Sequence, residues 1–152
     1  MMEAFSFIDL LSAYWKGSEN DQTKRMIHFM DKYIRNATEE NSVSIQVWRH
    51  KLMHTAHPRA LINTKSNKQY YWLLHWYEHL PEDHHFKFNE TTNRKILNIG
   101  LFYLVKDIEG ALDRYGEELS NSPELVKNFE LHSKSLASYV YKDIAPQQAR
   151  KQ

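Results

Sequence analysis

A dense run of apolar residues between Arg94 and Gly116 constrains the fold of this chain more than any other feature. At helical spacing these residues surround much of the circumference, so the run predicts a long helix over about residues 92–117 whose first half is buried. The apolar positions are Ile96, Leu97, Ile99, Leu101, Phe102, Leu104, Val105, Ile108 and Leu112. A helix that is apolar on most sides needs other elements around it, so we expect it at the centre of a bundle.

Four further segments carry helix signals. Residues 3 to 16 are amphipathic and end at Gly17, a residue that commonly terminates helices. A second amphipathic segment runs from about Asn20 to Ile34, and Ser42 is a plausible cap for a third helix. Pro123 follows Ser122 and predicts the start of the last helix. Together with the long helix, these signals predict a bundle of about five helices.

Between the third helix and the long helix the pattern changes to that of short strands. Residues 60–63 and 69–76 are apolar and aromatic runs around a polar turn, and residues 85–88 alternate between polar and apolar. They predict a small antiparallel β meander inserted after the third helix, over about residues 59–89. The expected fold class is therefore mainly α, of the α+β type.

Length and composition favour one folded domain. The chain has 152 residues, 41% of them hydrophobic and 13% aromatic, which is sufficient for a single core. We expect the domain to span residues 1–145 and to be followed by a polar tail over residues 146–152.

Charge and cysteine content restrict the chemistry and the partners. A net charge of +1 means that any binding of nucleic acid depends on a local patch. The absence of cysteine excludes disulfides and thiolate chemistry, and no apolar run reaches the roughly 20 residues that cross a bilayer. We therefore expect a cytoplasmic protein with no membrane partner and no cofactor.

The segment from Val47 to Arg59 concentrates the functional signals. It reads V-W-R-H-K-L-M-H-T-A-H-P-R, with apolar positions at helical spacing and Pro58 to end the helix. Arg49 and His54 lie on this helix, and His50 follows the arginine directly. A guanidinium can hold phosphate oxygens, and a neutral imidazole can accept the proton of a ribose 2′-OH.

This R-H-x-x-x-H arrangement resembles the R-x(4 to 6)-H signature of the HEPN superfamily, the higher eukaryote and prokaryote nucleotide-binding domains. The resemblance implies a metal-independent endoribonuclease, of the kind found among toxins and phage-defence effectors. It further implies a homodimer in which Arg49 and His54 of two copies meet at the interface as the catalytic pair, with His50 as a supporting polar group. An antitoxin is then a possible partner protein.

Three other residues are candidate contacts for RNA or a nucleotide. Arg59 and Lys51 are cations near the motif and are candidates for substrate binding. Tyr71 belongs to an aromatic run that could stack on bases, although such a run more often packs a sheet against helices.

The sequence is also compatible with two alternative functions. One is a HEPN-like module without catalysis, whose groove holds a nucleotide or a partner protein. The other is a metal-dependent enzyme, because His50, His54 and His57 have a spacing that can bind a transition metal.

Overall fold

The structure is a computed structural model that describes residues 2–49, 60–64, 66–76 and 80–148. Within these ranges it contains five α-helices and one four-stranded mixed sheet, so the broad expectation of a mainly helical α+β protein is confirmed. The helices are α1 (Met2–Lys16), α2 (Gln22–Phe29), α3 (Thr38–Val47), α4 (Leu101–Asn121) and α5 (Pro123–Gln148). The strands are β1 (Leu61–Ile62), β2 (Gln69–His75), β3 (Lys87–Glu90) and β4 (Arg94–Gly100).

The first three helices follow the sequence signals except at the start of α3. Helix α1 ends at Gly17, which has a φ of 68° and lies so close to α5 that a Cβ would come within 2.9 Å of the Asn128 Cα. Helix α2 continues into a π-helical segment, Met30–Ile34. Helix α3 begins at Thr38 rather than at Ser42, which lies inside the helix. Trp48 and Arg49 extend α3 as a π-type turn, and residues 50–59 lie outside the described ranges.

The prediction that one long helix begins near residue 92 is wrong. Residues 94–100 form strand β4, and α4 begins at Leu101. Strand β4 is hydrogen-bonded to β2 on one side and to β3 on the other, and Leu97 and Ile99 are fully buried. A central strand that is covered on both faces has a continuous apolar sequence, which periodicity alone does not distinguish from a buried helix.

The prediction of an antiparallel meander is also wrong in its topology. The strand order is β1-β2-β4-β3, and β2 runs parallel to β4 while the β1–β2 and β3–β4 pairs are antiparallel. The predicted β1–β2 pair around a polar turn is present, with Leu61 opposite Tyr70. Because β4 enters the sheet between its two sequence predecessors, the β region extends to Gly100 rather than ending near residue 89.

Aromatic side chains join the helices to the sheet. Phe5 of α1 lies between Trp48 and Trp72, with ring centroids 6.0 and 5.7 Å away, so the helical layer packs directly on β2. A second group formed by Phe29, Tyr33 and Tyr115 connects α2, the π-helical segment and α4. This continuous core fixes the relative positions of α1, α3 and α4.

Helix α5 packs along α1 and begins as the sequence indicated. The Leu125 N–H donates to Ser122 Oγ at 3.3 Å, which is the predicted cap ahead of Pro123. The Tyr14 and Phe129 rings stack with centroids 4.6 Å apart, and Asn128 Nδ2 donates to the Trp15 carbonyl at 3.0 Å. The α5 helix continues to Gln148, past the expected boundary at residue 146.

Candidate functional site

Arg49, the arginine of the sequence motif, lies at the end of the described part of α3. Its side chain is half-buried, and Nη1 donates to Thr23 Oγ1 of α2 at 2.7 Å. Within the described part of the chain Arg49 makes no ion pair with a carboxylate. Because a guanidinium has five N–H donors, one hydrogen bond to a hydroxyl leaves most of its binding capacity available.

Arg49 borders a cleft of about 740 Å³, which we call the Arg49 cleft. Its other walls come from α1, the turn between α1 and α2, α2 itself and α5. The residues used below are Asp9, Glu19, Asp21, Arg25, Arg49 and His132. A concave site of this size is large enough for a mononucleotide-sized ligand.

Arg25 builds one wall of the cleft and is fully occupied by its own neighbours. It is 5% exposed, and its Nη2 is paired with the Asp9 carboxylate. Its Nε donates to Ser12 Oγ at 2.9 Å, and its Nη1 donates to the Ser18 carbonyl at 3.1 Å. These bonds hold the α1–α2 turn around the guanidinium, so the charges of Arg25 and Asp9 balance each other and Arg25 has little capacity for a ligand.

His132 of α5 forms part of the same cleft wall and differs from Arg25. It is 2% exposed, and its Nδ1 is buried without a hydrogen-bond partner among the described residues. The ring meets the Tyr14 ring edge to face, with centroids 4.6 Å apart. An unpaired buried polar atom costs about 1–3 kcal/mol, so its presence at a cleft wall needs an explanation.

The remaining charges give the cleft a mixed character. Glu19 and Asp21 are exposed residues of the α1–α2 turn that borders it, whereas Arg49 is half-buried on the α3 side. With Arg25 and Asp9 balanced, the described residues of the cleft therefore offer one cation and two anions. Such a lining is suited to a ligand that has an anionic group together with hydroxyl or amino donors.

Most of the residues that the motif singled out are not covered by the structure. His50, Lys51, His54, His57 and Arg59 lie outside the described residues, so the predicted catalytic pair and the alternative metal site stay predictions. Among the residues that the structure does describe, no group of three histidine or carboxylate side chains is arranged to hold a metal ion.

Tyr71, the predicted stacking residue, is not part of the Arg49 cleft. It lies on β2 opposite Ile96 of β4, and its hydroxyl donates to Gln69 Oε1 at 2.8 Å. The Arg94 guanidinium lies 5.9 Å from the ring centroid. Its neighbour Trp72 projects the other way, toward α1, so the structure places Tyr71 on the sheet face opposite this helix.

A second buried histidine, His85, has a different environment. The Gly100 N–H donates to its Nδ1 at 3.0 Å, and its Nε2 lies 3.1 Å from Asp107 Oδ2. Because Nδ1 accepts a hydrogen bond, Nε2 carries the ring proton and donates it to Asp107. Arg35 completes the group by donating to the His85 carbonyl at 3.0 Å. Both ring nitrogens are therefore used in fixing β4 and α4, and neither is free to act on a ligand.

Sequence reasoning identified Arg49 but missed His132. The two residues are on different helices and far apart in the chain, and no spacing rule relates them. A feature of the α5 sequence that could have drawn attention to His132 is its place, three residues after Phe129, on the face of the helix that packs on α1.

No protein-family model, curated protein or solved structure matches this chain. Among the helices that the structure describes, none combines the length and the hydropathy that a bilayer span requires. Functional inference for this protein therefore depends on the site itself.

Proposed function

We propose that the Arg49 cleft binds the phosphate of a ribonucleotide unit, and that the protein uses it as a metal-independent endoribonuclease of the HEPN type. The observation that carries the proposal is the state of Arg49, a half-buried guanidinium at a cleft whose partner among the described residues is the Thr23 hydroxyl. An arginine in this position can form a bidentate pair with phosphate, and partial burial strengthens that pair.

The proposed reaction follows from the motif chemistry. Arg49 holds the scissile phosphate, and the His54 imidazole takes the 2′-OH proton as the 2′-oxygen attacks phosphorus. The bond from phosphorus to the 5′-oxygen breaks, and an imidazolium of the second copy in a homodimer protonates the leaving oxygen. The products are a 2′,3′-cyclic phosphate and a 5′-hydroxyl. The step consumes no water and requires no metal or cofactor.

The cleft charges predict how RNA binding depends on salt. Glu19 and Asp21 oppose a long polyanion, so attraction comes from contact with one or two phosphates rather than from an extended basic surface. The slope of log affinity against log salt is then shallow, about −0.7 for each phosphate contacted by a single strand. A steep slope would indicate a different RNA-binding surface.

The decisive experiment incubates the purified protein with single-stranded RNA in excess EDTA across about pH 6 to 8. We expect cleavage with cyclic-phosphate ends, and its loss in Arg49→Ala and His54→Ala. Lys127→Ala is the matched control, because it removes an exposed charge of α5 that does not border the cleft. Circular dichroism must show that the inactive variants remain folded. RNA that stays intact with the wild type excludes the nuclease activity.

A second candidate function is a nucleotide-binding module without catalysis. The exposed carboxylates of Glu19 and Asp21 favour it, since they match the hydroxyl and amino donors of one nucleotide better than a polyanion. Calorimetric titration with adenosine 5′-monophosphate tests this candidate. Binding that is lost in Arg49→Ala, from a protein that leaves RNA intact, establishes the module and excludes the nuclease.

A further inference from the structure

We propose that His132 is a ligand-binding residue of the Arg49 cleft, and that it hydrogen-bonds a ribose hydroxyl of the nucleotide whose phosphate Arg49 holds. This inference rests on the proposed function and extends it to the sugar. Neither the motif nor any spacing in the sequence assigns a role to His132.

The first step of the argument is the unpaired nitrogen. His132 is 2% exposed, and its Nδ1 has no hydrogen-bond partner among the described residues. A phenylalanine or leucine there would fill the space beside Tyr14 without this cost. A polar ring that weakens the folded state is expected where it is needed for binding.

The second step is location. The Tyr115 hydroxyl is also buried and has no partner among the described residues, but it lies among Phe29 and Tyr33 in the aromatic core. His132 instead borders the cleft that contains Arg49. A ligand held by Arg49 can therefore supply the missing hydrogen-bond partner of His132. It cannot do so for Tyr115, which does not line the Arg49 cleft. Because χ2 is a broad torsion in histidine, the proposal includes a rotation of the ring that brings a nitrogen to the ligand.

The third step is the chemistry of the partner. A neutral imidazole has one nitrogen that donates and one that accepts, whichever tautomer is present. A hydroxyl can accept from the first or donate to the second, whereas a phosphate oxygen can only accept. A ribose hydroxyl therefore satisfies the free nitrogen in either tautomer, and in a ribonucleotide it is covalently linked to the phosphate that Arg49 binds.

The test compares two ligands by titration calorimetry on the wild type and on the variants His132→Phe and Arg49→Ala. Adenosine 5′-monophosphate contains phosphate and ribose hydroxyls, and its 2′,3′-dideoxy analogue lacks the hydroxyls. We expect His132→Phe to weaken the monophosphate about tenfold, since a tenfold change corresponds to about 1.4 kcal/mol, the upper range of one hydrogen bond. The affinity for the dideoxy analogue should not change. Arg49→Ala should weaken both ligands, because both contain the phosphate.

Thermal unfolding without ligand gives an independent readout. His132→Phe keeps a ring against Tyr14 and removes the unpaired nitrogen, so we expect the Tm to rise by about 2–4 °C. Tyr115→Phe is the matched control, for which we expect a similar rise in Tm and unchanged affinity for both ligands. His132→Asn replaces the ring with an amide that can hydrogen-bond a hydroxyl, and it should retain part of the affinity that is lost in His132→Phe.

The outcomes separate this inference from the proposed function. Loss of binding in Arg49→Ala with full monophosphate affinity in His132→Phe removes the role of His132 and leaves the cleft function intact. A fall in the Tm of His132→Phe, with unchanged affinity, shows that the residue is structural. A wild type that binds neither ligand removes the role of His132 and the nucleotide-binding module, and the RNA cleavage experiment then decides the nuclease proposal separately.

Discussion

Two buried histidines in the described part of the chain, His85 and His132, have nearly the same exposure and opposite hydrogen bonding. His85 is fully buried and uses both ring nitrogens, one with the Gly100 N–H and one with Asp107. His132 is 2% exposed and has an unpaired Nδ1 beside a cleft. Burial therefore does not distinguish a structural histidine from a candidate functional one in this chain, whereas the state of the ring nitrogens and the neighbouring space does.

Arg25 and Arg49 both border the Arg49 cleft, and they differ in how many of their N–H donors are used by described residues. Arg25 is buried and bonded to Asp9, Ser12 and the turn that surrounds it, so it fixes the geometry of α1 and α2. Arg49 is half-buried and bonded to the Thr23 hydroxyl. A fully used side chain contributes to stability, and one with remaining donors can bind a ligand. If this distinction holds elsewhere in the molecule, substitutions at buried and fully bonded groups reduce stability most, and those at exposed pairs reduce it least.

The largest expected effect is at His85. His85→Phe keeps a ring but leaves the buried Gly100 N–H without its acceptor and Asp107 without its donor, so we expect a loss of about 3 kcal/mol in unfolding free energy. Urea unfolding measures the loss, and nucleotide binding by the folded fraction should be unchanged. If the stability hardly changes, the hydrogen bonds of His85 do not have the structural role assigned to them.

The next effect concerns Tyr115 at alkaline pH. Burial, with smaller contributions from Tyr33 and Tyr14, raises the pKa of Tyr115 from 10.0 to about 12. The folded state therefore keeps a proton that the unfolded chain releases, so stability falls as pH rises from about 10 toward 12, by up to about 2–3 kcal/mol.

Unfolding free energies of the wild type and Tyr115→Phe, measured on both sides of pH 10, test this expectation. The variant has no phenol at this position and should lose less stability as the pH rises. Equal losses in the two proteins would show that Tyr115 ionises in the folded state as freely as in the unfolded chain.

A smaller effect is expected at Asp107. Asp107→Asn keeps a carbonyl oxygen that can accept the proton of His85 Nε2 and removes the charge that lies 3.5 Å from Arg35. Because Arg35 and Asp107 are partly exposed, we expect a loss of about 1 kcal/mol, well below that of His85→Phe. A loss as large as that of His85→Phe would mean that the charge of Asp107, rather than its hydrogen bond, stabilises this region.

The smallest effect is expected at Glu118, whose salt bridge with Lys32 lies at the surface. Hydrogen bonds from Lys32 and Tyr33 lower the pKa of Glu118 from its ordinary value of 4.5. The resulting stabilisation is present above that value and is lost as the pH falls through the lowered pKa. Glu118→Gln should cost under about 1 kcal/mol at neutral pH, because the pair is exposed, and the difference from the wild type should vanish in acid. Unfolding curves at neutral and acidic pH measure both quantities.

The sequence predicted most of the secondary structure that depends on local signals. Gly17 ends α1 because its φ of 68° is costly for other residues, and Ser122 caps α5 ahead of Pro123. The β1–β2 pair was also predicted, since a polar turn between two apolar runs is a local feature. The strand β4 was missed because its apolar run fits a buried helix equally well, and the pairing with β2 and β3 that decides between them is not local.

By itself the sequence determined a mainly helical α+β protein with an arginine-histidine motif, because these features follow from short-range spacing and residue type. The tertiary structure decided that residues 94–100 join the sheet and that His132 lies at the same cleft as Arg49. It also decided that both ring nitrogens of His85 are hydrogen-bonded, whereas Nδ1 of His132 has no partner among the described residues. The physical reason is that hydrogen-bond partners and cleft walls come from segments distant in the chain, and only the packing of the whole core brings them together.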